Sequence, residues 1–247
     1  MTLEYFPAKT SINSGVLIVP GGRYKYIGYD TDGKPAAKWL NELGFDAWVL
    51  KYSCADNSAT PLLRKPMDEA ENALGHIRKN YRGKLGAWGW SAGGHLAAIK
   101  ATEPGLKLDF LILSYPVITM EDANTHIPSR LNLLGETPSP QQIIEMSANK
   151  RVTKDMPPTF IFHTASDEAV SVENSLLFAK ALNREMIPFA IKIQKDGKHG
   201  VGMTDWVDDL KTWLLNIACK QPTVVGELSM ADWTTDNDYL QQNHIFE

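Results

Sequence analysis

The sequence of 247 residues predicts one α/β domain, with a mostly parallel central sheet and helices on both faces. Two observations carry the prediction. Short apolar runs alternate with amphipathic segments along the first 220 residues, and most runs are unbroken, as strands covered on both faces require. Near the middle, Gly89-Trp90-Ser91-Ala92-Gly93-Gly94-His95 joins one such run to an alanine-rich helical segment at 96–101, which places a serine on a sharp strand-to-helix turn. Composition agrees with a single soluble domain: 43% of residues are hydrophobic, 22% are charged, and the net charge is −4. No basic surplus recommends a nucleic acid or an anionic membrane as partner, and no apolar run approaches a membrane span. Cys54 and Cys219 lie far apart without a Cys-x-x-Cys partner, so neither a zinc site nor a disulfide framework is expected. The first residues lack a charged and then apolar leader, so a cytoplasmic location is expected.

Taken in order, the expected strands are 16–19, 47–50, 85–88, 110–113, 159–162 and 189–193. The first helix, 35–43, opens on a proline at a first-turn position and stops at Gly44. Met67, Ala70, Ala73, Leu74 and Ile77 mark the apolar stripe of the next. Val172, Leu176, Leu177, Ala179 and Leu182 mark another, and Trp206, Leu210, Trp213, Leu214 and Ile217 the last. The rhythm breaks at 118–158, which holds Pro128, Pro138, Pro140, Pro157 and Pro158, with short helical pieces near 129–134 and 140–147. This insertion either roofs a site at the carboxyl end of the sheet or is a plain crossover. The domain should end near 220. The remainder, 221–247, carries five acids and no Lys or Arg, yet also Trp233, Tyr239, Ile245 and Phe246. It is expected to pack on the body, away from Ser91, or on a partner subunit in a homodimer.

A serine hydroxyl is a weak nucleophile near neutral pH and needs a positioned base, itself oriented by an acid. The turn around Ser91 suits a nucleophile elbow, with the N-terminus of a helix and the Ala92 N–H favouring a developing negative charge. On this architecture the acid and then the histidine follow in loops after later strands. Ala165-Ser166-Asp167-Glu168 comes just past the run at 159–162, and Gly197-Lys198-His199-Gly200 just past the run at 189–193. Asp167 is the expected acid, with Glu168 and Glu173 as competitors. A second oxyanion donor is expected from Pro20-Gly21-Gly22-Arg23-Tyr24, where paired glycines let backbone fold close to a substrate carbonyl. Among the other histidines, His95 is expected to be structural, His163 ends a buried strand and faces either way, and His126 could line a pocket. Tyr24, Trp90 and Tyr115 stand near the expected site as substrate-binding candidates. No metal or cofactor is implied.

These motifs together resemble the α/β-hydrolase superfamily, and within it the small acetylxylan-esterase-like and lipase/esterase-like carboxylesterases. Such proteins carry Pro-Gly-Gly-Gly-Tyr after an early strand, Gly-x-Ser-Ala-Gly-Gly-His at the elbow, Tyr-Pro-Val after the next strand, and Pro-Pro-Thr-Phe leading to His-Thr-Ala-Asp-Asp-x-x-Val and Gly-x-His-Gly. The matching segments are 20–24, 89–95, 115–117, 157–170 and 197–200, within a similarity spanning 14–216. The resemblance implies a triad of Ser91, His199 and Asp167, with an oxyanion hole formed by the N–H groups of Gly22, Arg23 and Ala92. Ser166 departs from the pattern, and so does Arg23, whose guanidinium replaces a glycine beside the hole and could select an anionic or hydroxyl-rich acid part. The N-terminal part looks too short for the two leading strands of many relatives. The expected activity is hydrolysis of short acyl esters, with acetylated sugars as the candidate substrates. An amide-type hydrolase, such as an arylformamidase or small peptidase, and a catalytically silent binding protein are the alternatives.

Overall fold

Strand order decides where a site can form, and here it is β1-β3-β2-β4-β5-β6-β7. The computed structural model describes residues 1–105 and 107–219, so the expectations for 221–247 lie outside the described residues. The strands are β1 (Thr2–Phe6), β2 (Ser14–Val19), β3 (Asp46–Lys51), β4 (Lys84–Trp90), β5 (Phe110–Ser114), β6 (Thr159–Thr164) and β7 (Phe189–Gln194). Every pairing from β3 through β7 is parallel, and only β1 runs antiparallel, along the outer edge of β3. The chain moves from β2 outward to β3, then crosses back to lay β4 on the other side of β2. That reversal opens a crevice at the carboxyl ends of β2 and β4.

Strand alternation distributes the core between two faces. Leu17, Val19, Leu85, Ala87, Leu111 and Leu113 pack under α2 (Lys65–Asn80), α3 (Ala92–Thr102) and α6 (Glu173–Arg184). Val16, Ile18, Trp88, Trp90, Phe110 and Ile112 pack under α1 (Lys34–Glu42) and α7 (Trp206–Cys219). Trp206 stacks flat on Phe162, with centroids 4.2 Å apart. The insertion between β5 and β6 carries α4 (Ile127–Leu134) and α5 (Pro140–Glu145), and it buries Leu133, Leu134 and Met146 in the first of these cores.

Two expectations need correction. The N-terminus holds one leading strand rather than two, as expected, but that strand, β1, is absent from the expected set. Its side chains are only partly covered and Tyr5 lies over Trp48 at 5.0 Å, so it has no fully apolar run. In α6 the buried face is Asn174, Ser175, Phe178, Ala179, Ala181 and Leu182, so Ala179 and Leu182 of the expected stripe are buried while Leu176 is exposed. Asn174 is there for its hydrogen bonds. Its Oδ1 accepts from Ile118 and Thr119 N–H, and its Nδ2 donates to Asn124 O, so it ties the insertion to the domain.

Candidate active site

The elbow is set by backbone conformation. Ser91 follows β4 and caps α3 with φ 52° and ψ −117°, a region that ordinary residues avoid. Its N–H donates to Ser114 O (2.9 Å) and its carbonyl accepts from Val117 N–H (3.0 Å), so β5 and the segment after it hold the strained turn. Gly93 is required by close approach, since a side chain there would overlap the carbonyl oxygens of Val19 and Pro20. The same contact seats the loop after β2 against the first turn of α3.

The structure brings Ser91, His199 and Asp167 into one chain of hydrogen bonds. Ser91 Oγ lies 2.9 Å from His199 Nε2, and His199 Nδ1 lies 2.7 Å from Asp167 Oδ2. The carboxylate can only accept, so His199 carries its proton on Nδ1 and leaves Nε2 to accept from the serine. Asp167 Oδ1 accepts from the N–H groups of Ala169 and Val170, each at 2.9 Å, which leaves Oδ2 for the imidazole. Burial by itself would raise the Asp167 carboxyl. Hydrogen bonds from His163, His199 and Val170 outweigh that and hold it well below the usual carboxylate range. Of its competitors, Glu168 and Glu173 are both exposed. Ser166 has a place of its own: its Oγ accepts from Gly197 N–H (2.9 Å) and donates to Gly197 O (3.1 Å), joining the acid loop to the histidine loop.

The loop after β2 is wound tightly. Gly22 has φ 130°, where a side chain would strike Tyr26 O, and both Arg23 (φ 60°) and Tyr24 (φ 57°) are left-handed. Gly21 N–H donates to Asp32 Oδ2 (2.9 Å), whereas the N–H groups of Gly22, Arg23 and Ala92 take no acceptor among the described residues. Asp32 is a residue that the sequence did not single out. Burial raises its carboxyl, against the lowering effects of the Gly21 N–H, Thr31 and the nearby His199.

Two candidates move away from the site surface. Trp90 lies on the same strand face as Trp88, stacks on it at 4.7 Å, and is 1% exposed beneath α7. Tyr24 is fully buried, because its left-handed backbone turns the ring down onto α3, where the hydroxyl sits 2.7 Å from His95 Nδ1. His95 Nε2 donates to Met146 O (2.7 Å), so this histidine is structural as expected. Tyr115 stays at the site as a wall: its ring packs edge-on against His199 at 5.0 Å. His126, the cap of α4, is buried with Nδ1 2.8 Å from Ser129 Oγ. Burial pushes it down to about 4, helped by the charges of His199 and Arg23, so it is a neutral group beside the triad at neutral pH. A cavity of about 450 Å³ lies against His199, lined by Ser166, Glu168, Ala169, Gly197 and Lys198. Among the described residues no cluster of side chains could hold a metal ion, and no helix is long and apolar enough to cross a membrane.

Known proteins resemble this chain. The sequence model of the prolyl oligopeptidase family (Peptidase_S9) matches residues 73–221, which include Ser91, Asp167 and His199. The chain is 35% identical over 205 residues to endo-1,4-beta-xylanase B of Butyrivibrio fibrisolvens, covering 75% of this chain and 32% of that protein. It is 26% identical over 237 residues to an acetylxylan esterase of Xylanibacter ruminicola, covering 88% of this chain and 48% of that protein. The chain thus spans about a third of the length of the first of these relatives and about half of the second. A crystal structure of an acetyl ester-xyloside bifunctional hydrolase from Caldicellulosiruptor lactoaceticus superposes with a TM-score of 0.77 at 30% identity, over 87% of each chain.

Proposed function

The chain belongs to the prolyl oligopeptidase family of α/β-hydrolases, and on that premise we propose that it is a serine carboxylesterase acting on short acyl esters of sugars. One observation carries the reading: the hydrogen-bonded run Ser91–His199–Asp167 stands beside three backbone N–H groups that take no acceptor among the described residues. Ser91 attacks the ester carbonyl while His199 Nε2 takes its proton. The Gly22, Arg23 and Ala92 N–H groups receive the oxyanion. His199 then protonates the leaving alcohol, and the acyl-enzyme is hydrolysed by water activated through the same imidazole. Asp167 fixes the tautomer and balances the imidazolium.

The alcohol departs on the His199 side, where Ser166, Glu168 and Lys198 on the cavity wall offer polar partners to a hydroxyl-rich group. The acetylxylan esterase and the acetyl ester-xyloside hydrolase among its relatives support acetyl as the acyl group. Cys54 is a buried free thiol, which fits a reducing, cytoplasmic setting. The family's peptidase name favours a second reading, hydrolysis of an amide such as an arylformamide or a small peptide. Rates on acetylated xylo-oligosaccharides, p-nitrophenyl acetate, a formyl-anilide and short peptides decide between the two. Ester turnover should exceed amide turnover, and Ser91→Ala should lower kcat by about 10⁶ with the fold intact. Near-normal ester turnover in that variant would mean a different nucleophile.

A further inference from the structure

We propose that His163, buried at the carboxyl end of β6, is a positioning residue for Asp167, extending the relay inward as Ser175–His163–Asp167–His199–Ser91. The inference rests on the reading of Asp167 as the triad acid. His163 has no exposed surface, and both ring nitrogens are engaged. Nδ1 lies 2.7 Å from Ser175 Oγ on α6. Nε2 lies 2.9 Å from Val170 O and 3.3 Å from Asp167 Oδ2, the oxygen that also binds His199. Both neighbours of Nε2 are acceptors, so that nitrogen carries a proton in either charge state of the ring. In the neutral ring Nδ1 is then an acceptor, and the Ser175 hydroxyl donates to it.

An imidazole at this place is expensive unless it is paired, because the preceding strand residues Phe160, Ile161 and Phe162 are all buried and apolar. An aliphatic side chain would continue the strand without that cost. What the imidazole adds is a second donor to Oδ2 of the catalytic carboxylate, its Nε2–H being shared between Val170 O at 2.9 Å and that oxygen at 3.3 Å. Asp167 Oδ1 is held by two backbone N–H groups, and His163 braces Oδ2 together with His199. The carboxylate cannot rotate about its Cβ–Cγ bond without losing donors on both oxygens. It therefore meets the charge that develops on His199 in one fixed orientation. The same Nε2 fixes Val170 O, in the loop whose N–H groups cap Oδ1, so one ring locks the acid and its backbone cradle together.

Two substitutions separate positioning from mere packing. His163→Leu fills the space without a donor, and His163→Gln places an amide N–H near the Nε2 position. Each is assayed on p-nitrophenyl acetate for kcat and KM separately, with active sites counted by fluorophosphonate labelling. The pH dependence of kcat/KM is followed as well, since Asp167, Asp32 and His126 act electrostatically with His199, and Lys198 and Glu168 line the cavity against it. In substrate-free protein, low-field proton NMR follows the hydrogen bond between His199 and Asp167. His163→Leu should lower kcat by roughly tenfold or more with KM within about twofold. It should also move the acid limb of kcat/KM and shift or broaden the low-field signal, and His163→Gln should restore most of each. If kcat per labelled site, the acid limb and the low-field signal all stay unchanged while only thermal stability falls, the proposal is overturned. Should His163→Leu fail to fold, Ser175→Ala carries the test, with the same effects expected at smaller size and their absence overturning it. A wild-type protein inert towards esters would refute the esterase reading, and the NMR comparison would still decide the role of His163.

Discussion

Ser91, Arg23 and Tyr24 all hold left-handed backbone, and they lie in two turns that touch through Gly93. At Arg23 this conformation costs about 1 kcal/mol relative to glycine, and the carbonyl of Arg23 is held in place by the side-chain amide of Asn132 at 3.0 Å. Its guanidinium is exposed and has no ion-pair partner among the described residues, so it is available to a substrate. Arg23→Gly should therefore raise the thermal midpoint slightly and keep kcat/KM on a neutral acetyl ester within a few-fold, because the N–H survives. It should lower kcat/KM on an acetyl ester bearing a carboxylate. Equal losses on both esters would place Arg23 in the chemistry rather than in substrate choice. The proposed triad was legible at this scale because Ser91, Asp167 and His199 each follow an expected strand. Asp32 was not, since its role comes from a single hydrogen bond to Gly21 that only the folded loop creates.

Elements are held together at the site by polar groups buried between them. His95 on α3 bridges Tyr24 in the loop after β2 and Met146 in the insertion. Burial pushes it from its ordinary value of 6.5 down to about 4, although the Met146 carbonyl pulls it up. The unfolded chain therefore takes up this proton first as pH falls. Stability from this group is complete above about pH 6.5 and is lost as pH drops towards 4, by about 2 kcal/mol between pH 7 and pH 5. His126 acts in the same direction. Urea midpoints at pH 7 and pH 5 test this: the wild-type protein should lose more than His95→Gln does, and identical losses would contradict it. Such bridges also show which elements the sequence conceals. Strands β2 to β7 announced themselves by apolar runs. The inner face of α6 did not, because Asn174 and Ser175 are buried for the hydrogen bonds they make, and edge strand β1 did not, because it is half covered.

Across the whole molecule, the reversal of strand order gathers the oxyanion loop and the elbow at adjacent strand ends, and the later loops bring acid and base to the same edge. The insertion packs against this edge, with Asn132 on Arg23 and His126 beside the triad, and Ser91 is left 5% exposed. Such a closed-in nucleophile should prefer acetyl and propionyl over octanoyl esters by about tenfold or more in kcat/KM, and a rise with chain length would contradict this. Truncation after residue 220 should reduce stability or dissociate a dimer while leaving kcat/KM on a small ester within a few-fold, and a folded but inactive truncation would place the tail at the site. In the proposed reaction Ser91 carries the acyl group through a covalent intermediate. Acid-quenched reaction with an acetyl ester, followed by peptide mass analysis, tests it most directly. An acetyl group on the peptide containing Ser91, absent in Ser91→Ala, is the predicted result. Steady turnover with no acetyl adduct on that serine, or turnover that persists in Ser91→Ala, would contradict it.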